Sequence, residues 1–163
     1  MHSHKRVAAF VGLATLAAST AILVATSASA QPQRTLTFTE LEKGSTFAHI
    51  RNTKSTSERA NTQGDVLAFT YPLAAASGRV VGRLHVECVT TMGARNFLKS
   101  IMTCSGVVVL GDGILTVQAT VSPGVPTTSG AVTGGTGAYA NARGVFVSKP
   151  GPHGPVDTFT LED

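Results

Sequence analysis

The amino-acid sequence predicts an all-β domain of eight or nine short strands, either closed into a barrel or stacked as a sandwich. Beyond residue 30, Gly, Thr, Val and Ala dominate, and apolar residues do not recur at the period of a helix. Short β-branched runs instead alternate with turns rich in Gly, Pro, Ser and Asn. Many short strands in a domain of roughly 130 residues are typical of both architectures.

Residues 1–30 have the three-part pattern of a secretory signal peptide. Residues 4–6 are polar and basic, residues 7–24 are apolar and uncharged, and residues 28–30 are the small-residue cleavage site Ala-Ser-Ala. A retained membrane anchor is the alternative, but the cleavage site favours removal. We therefore expect a secreted mature chain of residues 31–163, a single domain that is not membrane-bound after cleavage.

Each strand is predicted from a run rich in β-branched or aromatic residues that ends at turn-forming residues. In chain order, the predicted strands cover residues 35–41, 46–51, 65–71, 79–90, 101–110, 114–121, 127–132, 144–148 and 157–161. The clearest hairpin turn is Gly111-Asp112-Gly113, because its glycines accept positive φ and its aspartate caps the turn.

Three further segments are predicted to connect strands. Residues 122–124, Ser-Pro-Gly, form a turn. Residues 52–63 contain no large apolar side chain, which predicts a mobile loop or, in a functional role, a lid over a barrel mouth. Residues 149–155 contain three prolines and can form neither a helix nor a central strand, so we expect a rigid surface connection.

The chain has two cysteines, Cys88 and Cys104, both in the predicted mature part. An even number of cysteines in a secreted protein favours a disulfide, which would contribute about 3 kcal/mol for a loop of this length. Two free thiols, one of them catalytic, are the alternative.

One predicted strand carries alternating charges. Arg83, His85 and Glu87 share one of its faces, and the apolar residues Leu84 and Val86 lie on the other. We expect the charged face to meet solvent. If the barrel interior were polar instead, His85 and Glu87 would form a general-base pair.

Composition and spacing exclude several classes of function. Removing the predicted signal peptide lowers the net charge from +4 to +2, and no cluster of basic residues remains, so nucleic-acid binding has little support. His49 and His153 are far apart, and no spacing suggests a metal site. Residues 135–140 match a dinucleotide-binding pattern only in form, because the proline-rich residues that follow cannot supply the required helix. We expect neither a metal nor a cofactor.

The glycine-rich residues 132–144, VTGGTGAYANARG, resemble the signature turn of the dirigent and allene oxide cyclase-like β-barrel family. Residues 37–40, TFTE, resemble the family's opening strand, and residues 64–69 followed by 78–82 resemble its second hairpin. The cysteine pair resembles that of its small secreted bacterial members. The resemblance implies a single closed antiparallel β-barrel of about eight strands, with an apolar cavity and a possible homo-oligomeric assembly.

The resemblance also implies chemistry on a hydrophobic small molecule without a cofactor, as a dirigent-like or cyclase-like protein. Glu40 matches a glutamate near the end of the family's first strand, and Arg143 matches the arginine of the glycine turn. The chain departs from the family because that turn carries no acid: Ala138 and Asn141 flank Tyr139.

From these observations the predicted catalytic residues are Glu40, Tyr139 and Arg143. Tyr139 would donate a hydrogen bond to a ligand carbonyl or simply pack over the turn. Arg143 would enter the barrel with Glu40 as its partner, or else be exposed, because a buried unpaired charge is very costly.

The predicted cavity-lining residues are Phe38, Phe69 and Tyr71, which are core residues if the barrel is solid. Two functions follow. The barrel guides the cyclisation or isomerisation of a hydrophobic small molecule, or it is a non-catalytic extracellular binding or structural module. A lumen packed solid would exclude a ligand. An immunoglobulin-like adhesion sandwich is a weaker third possibility, because the chain lacks Trp.

Overall fold

The computed structural model describes residues 33–52 and 61–162 of the 163-residue chain. The predicted signal peptide, residues 1–30, and residues 53–60 of the predicted polar loop lie outside the described residues. Within the described ranges the protein is all-β, with one short 3₁₀ turn at Phe97–Lys99 and no α-helix. No helix in these ranges is long and apolar enough to cross a membrane.

All nine predicted strands are present, and most of their boundaries agree with the prediction within one or two residues. They are β1 Gln33–Glu40, β2 Thr46–Ile50, β3 Val66–Ala74, β4 Val80–Met92, β5 Ile101–Leu110, β6 Gly113–Val121, β7 Thr128–Gly137, β8 Arg143–Lys149 and β9 Val156–Glu162.

The glycine-rich stretch is the main exception, because the predicted turn is in large part strand. β7 continues to Gly137, and Gly134 and Gly135 pair with β6 residues. A Cβ atom at Gly135 would lie 2.4 Å from the Tyr139 carbonyl oxygen and 2.6 Å from that of Ile114, so this strand position excludes a side chain. The turn itself is confined to residues 138–142.

The strands form one antiparallel sheet in the order β1-β9-β8-β7-β6-β5-β4-β3-β2. A further pairing of β1 with β3, Thr39 opposite Ala74 and Glu40 opposite Leu73, closes eight of these strands into a barrel. β2 pairs with the first half of β3, and no strand among the described residues borders its other edge. The predicted eight-stranded barrel is confirmed, and the sandwich alternatives are wrong.

The two ends of the barrel differ in packing. One end holds the start of β1, the end of β9 and the β3–β4, β5–β6 and β7–β8 turns. Inward side chains fill this end: Phe38, Leu73, Val108, Leu115, Val132, Tyr139, Ala142 and Leu161. We call it the packed end. The opposite end, which we call the open end, carries the longer connections.

The two cysteines form a disulfide across β4 and β5, as predicted. Cys88 stands directly opposite Cys104, with a Cα–Cα distance of 4.0 Å and an S–S distance of 1.96 Å. Both are buried on the inner face. The bridge therefore belongs to the barrel wall and faces the lumen.

The charged face of β4 lies outside the barrel, as expected. His85 and Glu87 are exposed, and Arg83 donates a hydrogen bond of 3.0 Å to the Gly44 carbonyl. Leu84 on the opposite face is buried in the core. This arrangement excludes His85 and Glu87 as a general-base pair inside the lumen.

Candidate functional site

The open half of the barrel is hollow. It encloses a cavity of about 240 Å³ whose walls come from all eight barrel strands. The lining is mostly apolar, with the disulfide on one side, and its polar members are two carboxyl and two hydroxyl side chains in addition to Tyr71. The lining residues are Glu40, Phe69, Tyr71, Leu84, Val86, Cys88, Met102, Cys104, Gly106, Val117, Ala119, Val121, Thr128, Phe146, Ser148, Asp157 and Phe159.

Strand alternation brings the two carboxyl groups together. On β1, Phe38 and Glu40 point inward, and on β9, Asp157 and Phe159 do so. Phe38 is paired directly with Asp157, so Glu40 is the next inward residue along β1 and lies diagonal to Asp157. The Glu40 N–H donates a 2.8 Å hydrogen bond to the Pro155 carbonyl, which fixes the end of β1 beside β9.

Gly154 permits this close approach. It has a φ of +133°, and a Cβ atom there would lie 2.1 Å from the Glu40 carbonyl oxygen. Any side chain at this position would push the end of β1 away from β9. The glycine in the proline-rich connection is therefore part of what places Glu40 in the cavity.

Burial and mutual repulsion change the protonation of both carboxyl groups. Burial of the side chain, together with the nearby Asp157 charge and hydrogen bond, raises the pKa of Glu40 to about 8. Burial also raises the pKa of Asp157, while hydrogen bonds with Ser148 and Glu40 act in the opposite direction and favour its ionised form. At neutral pH Glu40 therefore keeps its proton, and its hydrogen bond with Asp157 favours the ionised form of Asp157.

One oxygen of this pair lacks a partner. Asp157 is only 2% exposed, and its Oδ1 atom has no hydrogen-bond partner among the described residues. A buried carboxylate oxygen without a donor is costly, since the lost hydration is not replaced. Because Oδ1 is itself almost completely inaccessible, it lies behind the cavity surface.

Aromatic side chains form much of the remaining wall. Phe69 and Tyr71 meet edge to face at 5.8 Å between ring centres, and Phe146 and Phe159 stack at 5.9 Å. Burial, and then the charges of Glu40 and Glu42, raise the pKa of Tyr71, so its hydroxyl keeps its proton. The walls offer ring faces and edges to a flat ligand.

The structure brings three of the six sequence-predicted site residues to this cavity: Glu40, Phe69 and Tyr71. Phe38 does not line it and instead packs in the core against Phe159, with 6.0 Å between their rings. Phe38 borders a separate surface pocket at the packed end.

Tyr139 and Arg143 are placed elsewhere. Tyr139 is buried at the packed end with the Arg34 guanidinium 4.9 Å above its ring, and burial and Asp112 raise its pKa. Arg143 is exposed on the outer face of β8, and its guanidinium donates a 2.7 Å hydrogen bond to the Ala142 carbonyl. The structure therefore agrees with the second alternative for Arg143, an exposed arginine, and its side chain does not reach Glu40.

Asp157 and Ser148 are site residues that the sequence analysis missed. β9 carries Asp157, Phe159 and Leu161 in strict alternation, so an aspartate shares the inward face with two apolar residues. That alternation is the signal that could have identified Asp157. Among the described residues, no group of three or more His, Cys, Asp or Glu side chains could hold a metal ion.

The architecture defines a class of small closed β-barrels with a largely apolar, ligand-sized lumen. No protein-family model and no curated protein matches the sequence. Among solved structures, the chain is similar to a pyocyanin demethylase at 22% identity and a TM-score of 0.64, covering 78% of this chain and 99% of that one.

Two further solved structures give the same picture. A pterocarpan synthase dirigent protein has 16% identity and a TM-score of 0.59, covering 83% of this chain and 86% of that one. An exo-specific intermolecular Diels-Alderase has 15% identity and a TM-score of 0.54, and the match covers 80% of this chain and 98% of that one. The protein therefore has the dirigent and cyclase type of barrel fold, which the sequence resemblance implied. At these identities the likeness concerns the fold alone.

Proposed function

We propose that the protein binds a hydrophobic small molecule in its lumen and guides the cyclisation or isomerisation of that molecule. The observation that carries this proposal is the pair of Glu40 and Asp157, two carboxyl groups that lie together in an otherwise largely apolar cavity, where burial raises the pKa of both. A neutral carboxylic acid beside a carboxylate is the arrangement that general acid–base catalysis requires near neutral pH.

In the proposed mechanism, Glu40 donates its proton to the bound molecule and Asp157 accepts a proton from another position of the same molecule. The molecule thus gains and loses one proton, and its bonds rearrange without net oxidation or reduction. The proton then returns from Asp157 to Glu40 through their hydrogen bond. The close walls hold one folded conformer of the substrate, which lowers the entropic part of the barrier.

The similar structures support a reaction of this general kind without specifying it. By name they are a demethylase, a dirigent protein and a Diels-Alderase, so the same type of barrel fold accommodates different reactions. The reaction type proposed for this chain follows from its own carboxyl pair. The signal-peptide pattern and the disulfide support a secreted protein that acts outside the cytoplasm.

The first experiment is native mass spectrometry of the mature protein secreted by its own host, before and after denaturation. A released small molecule identifies the ligand, and the intact mass gives the oligomeric state. Ala119→Phe fills the lumen from its wall, and Thr120→Phe places the same ring on the exposed face of the same strand as a matched control. Binding that Ala119→Phe abolishes and Thr120→Phe preserves supports the proposal. Equal binding by both variants contradicts a lumen site.

Catalysis is tested separately from binding. Glu40→Gln removes the donated proton while keeping the side-chain shape, and we expect conversion of the released molecule to fall by about 10²–10⁴-fold with binding retained. If wild type and variant both release the molecule unchanged, the protein is a non-catalytic binding module. The missing acid in the glycine-rich stretch favours that alternative.

A further inference from the structure

The charge and hydrogen-bonding character of the cavity lining restricts the ligands that it can accept. Among the residues that the structure describes, the lining contains two carboxyl groups and no Lys, Arg or His side chain. The basic residues of the barrel strands lie elsewhere: Arg34 lies over the Tyr139 ring at the packed end, Arg83 hydrogen-bonds to the Gly44 carbonyl on the outer surface, and His85, Arg143 and Lys149 are exposed. Within the described part of the chain, the negative charge of the carboxyl pair thus has no cationic partner in the cavity wall.

The carboxyl pair adds a hydrogen-bonding requirement. Glu40 and Asp157 both line the cavity, and a carboxylate accepts hydrogen bonds but donates none. A ligand that brings an N–H or O–H donor can hydrogen-bond to the pair, whereas a ligand without a donor leaves the carboxylate desolvated and binds more weakly. A protonated nitrogen meets both requirements, since it donates a hydrogen bond and also neutralises the buried charge.

The aromatic walls favour the same choice. Phe69, Tyr71, Phe146 and Phe159 surround the space next to the carboxyl pair, and ring faces attract cations when water is excluded. The volume of about 240 Å³ limits the size of the ligand. An apolar cavity of about 150 Å³ accommodates benzene, so this one suits one or two fused rings.

We infer that the lumen selects a compact mono- or bicyclic organic cation whose protonated N–H group donates to the carboxyl pair of Glu40 and Asp157. This inference rests on the proposed function and names the substrate class for the same site. It excludes carboxylate ligands of equal size, because a third negative or acidic group beside Glu40 and Asp157 would be repelled.

Three naphthalene probes of nearly equal shape test the inference. 1-(Aminomethyl)naphthalene is a cation with an N–H donor, 1-naphthalenemethanol is neutral with an O–H donor, and 1-naphthoate is an anion. The chain has no Trp, so naphthalene fluorescence anisotropy reports binding to the mature protein without interference from tryptophan emission. We expect the amine to bind at least tenfold tighter than the alcohol, and the alcohol tighter than the acid.

Asp157→Asn should remove most of the preference for the amine over the alcohol. Glu87→Gln is the matched control, because it removes one negative charge from the exposed outer face of β4 and should leave the preference unchanged. If Asp157→Asn does not fold, as judged by circular dichroism, the order of the affinities of the three probes for the wild type still tests the inference.

The outcomes separate the two proposals. If the probes bind the wild type, and Ala119→Phe blocks them, but the amine has no advantage, then the inference fails while lumen binding stands. If no probe binds, both the inference and the proposed hydrophobic lumen site fail. An amine preference that survives in folded Asp157→Asn also overturns the inference, since the selectivity then comes from other groups.

Discussion

Replacing Glu40 with Gln should make the stability of the protein much less dependent on pH. The pKa of Glu40 rises from 4.5 to about 8 on folding because the side chain is buried beside Asp157. The folded state therefore keeps a proton that the unfolded state loses above pH 4.5. The contribution of Glu40 to stability is then highest below that pH and falls as pH rises towards 8. A shift of this size corresponds to about 5 kcal/mol as an upper limit.

Urea denaturation from pH 5 to pH 9 measures this effect. Wild type should lose stability steadily over that range, whereas Glu40→Gln should retain most of its stability and overtake the wild type near the alkaline end. Glu87→Gln, which changes an exposed carboxyl outside the barrel, should keep the wild-type slope. If Glu40→Gln has the same pH slope as the wild type, Glu40 is not the group that retains the proton, and the proposed acid is misassigned.

Three other predictions concern the rest of the barrel. Replacing Cys88 and Cys104 together with Ser should lower the free energy of unfolding by about 3 kcal/mol, measured by thermal denaturation against the intact protein, because the bridge joins residues 16 positions apart. Asp65 accepts hydrogen bonds from the Thr62 amide at 2.9 Å and from His49 at 3.2 Å. Burial alone would raise the pKa of Asp65, but its hydrogen bonds, those from the backbone most of all, lower it below 3.8. Stability should therefore fall as pH drops below 3.8, and Asp65→Asn should abolish that loss at acid pH. Arg143→Ala should change stability by less than about 0.5 kcal/mol and leave turnover intact, because the side chain is exposed outside the cavity; a large loss of turnover would place the site elsewhere.

The strands were predictable because their signals are local. β5 was predicted with its observed boundaries, since Gly111 ends a run that is rich in apolar and β-branched residues. The glycine-rich stretch was predicted less well. Glycine has low strand propensity, so Gly134 and Gly135 suggest a turn. Yet β7 needs glycine because neighbouring carbonyl oxygens occupy the place of a side chain, and only the assembled sheet shows this.

Part of the site could also be predicted from local sequence, because side chains alternate between the two faces of a strand. Alternation along a single strand identifies Glu40, Phe69 and Tyr71 as inward residues once the barrel is assumed. The same alternation cannot say at which level the barrel is hollow, so Phe38 was wrongly expected to line the cavity that Glu40 reaches. Alternation along β9 could have identified Asp157 as an inward residue, but its position beside Glu40 could not be predicted, because neither strand alone determines the register between β1 and β9.

The pairing of the first and last strands has a consequence for protein engineering. Gln33 and Glu162 stand directly opposite each other on β1 and β9, at the end of the barrel away from the cavity. A short linker could therefore join these two positions, and new termini could be opened in the hairpin between β5 and β6. Such a circular permutant would keep every strand neighbour and the carboxyl pair. The order in which the strands leave the ribosome could thus be changed without altering the chamber that they enclose.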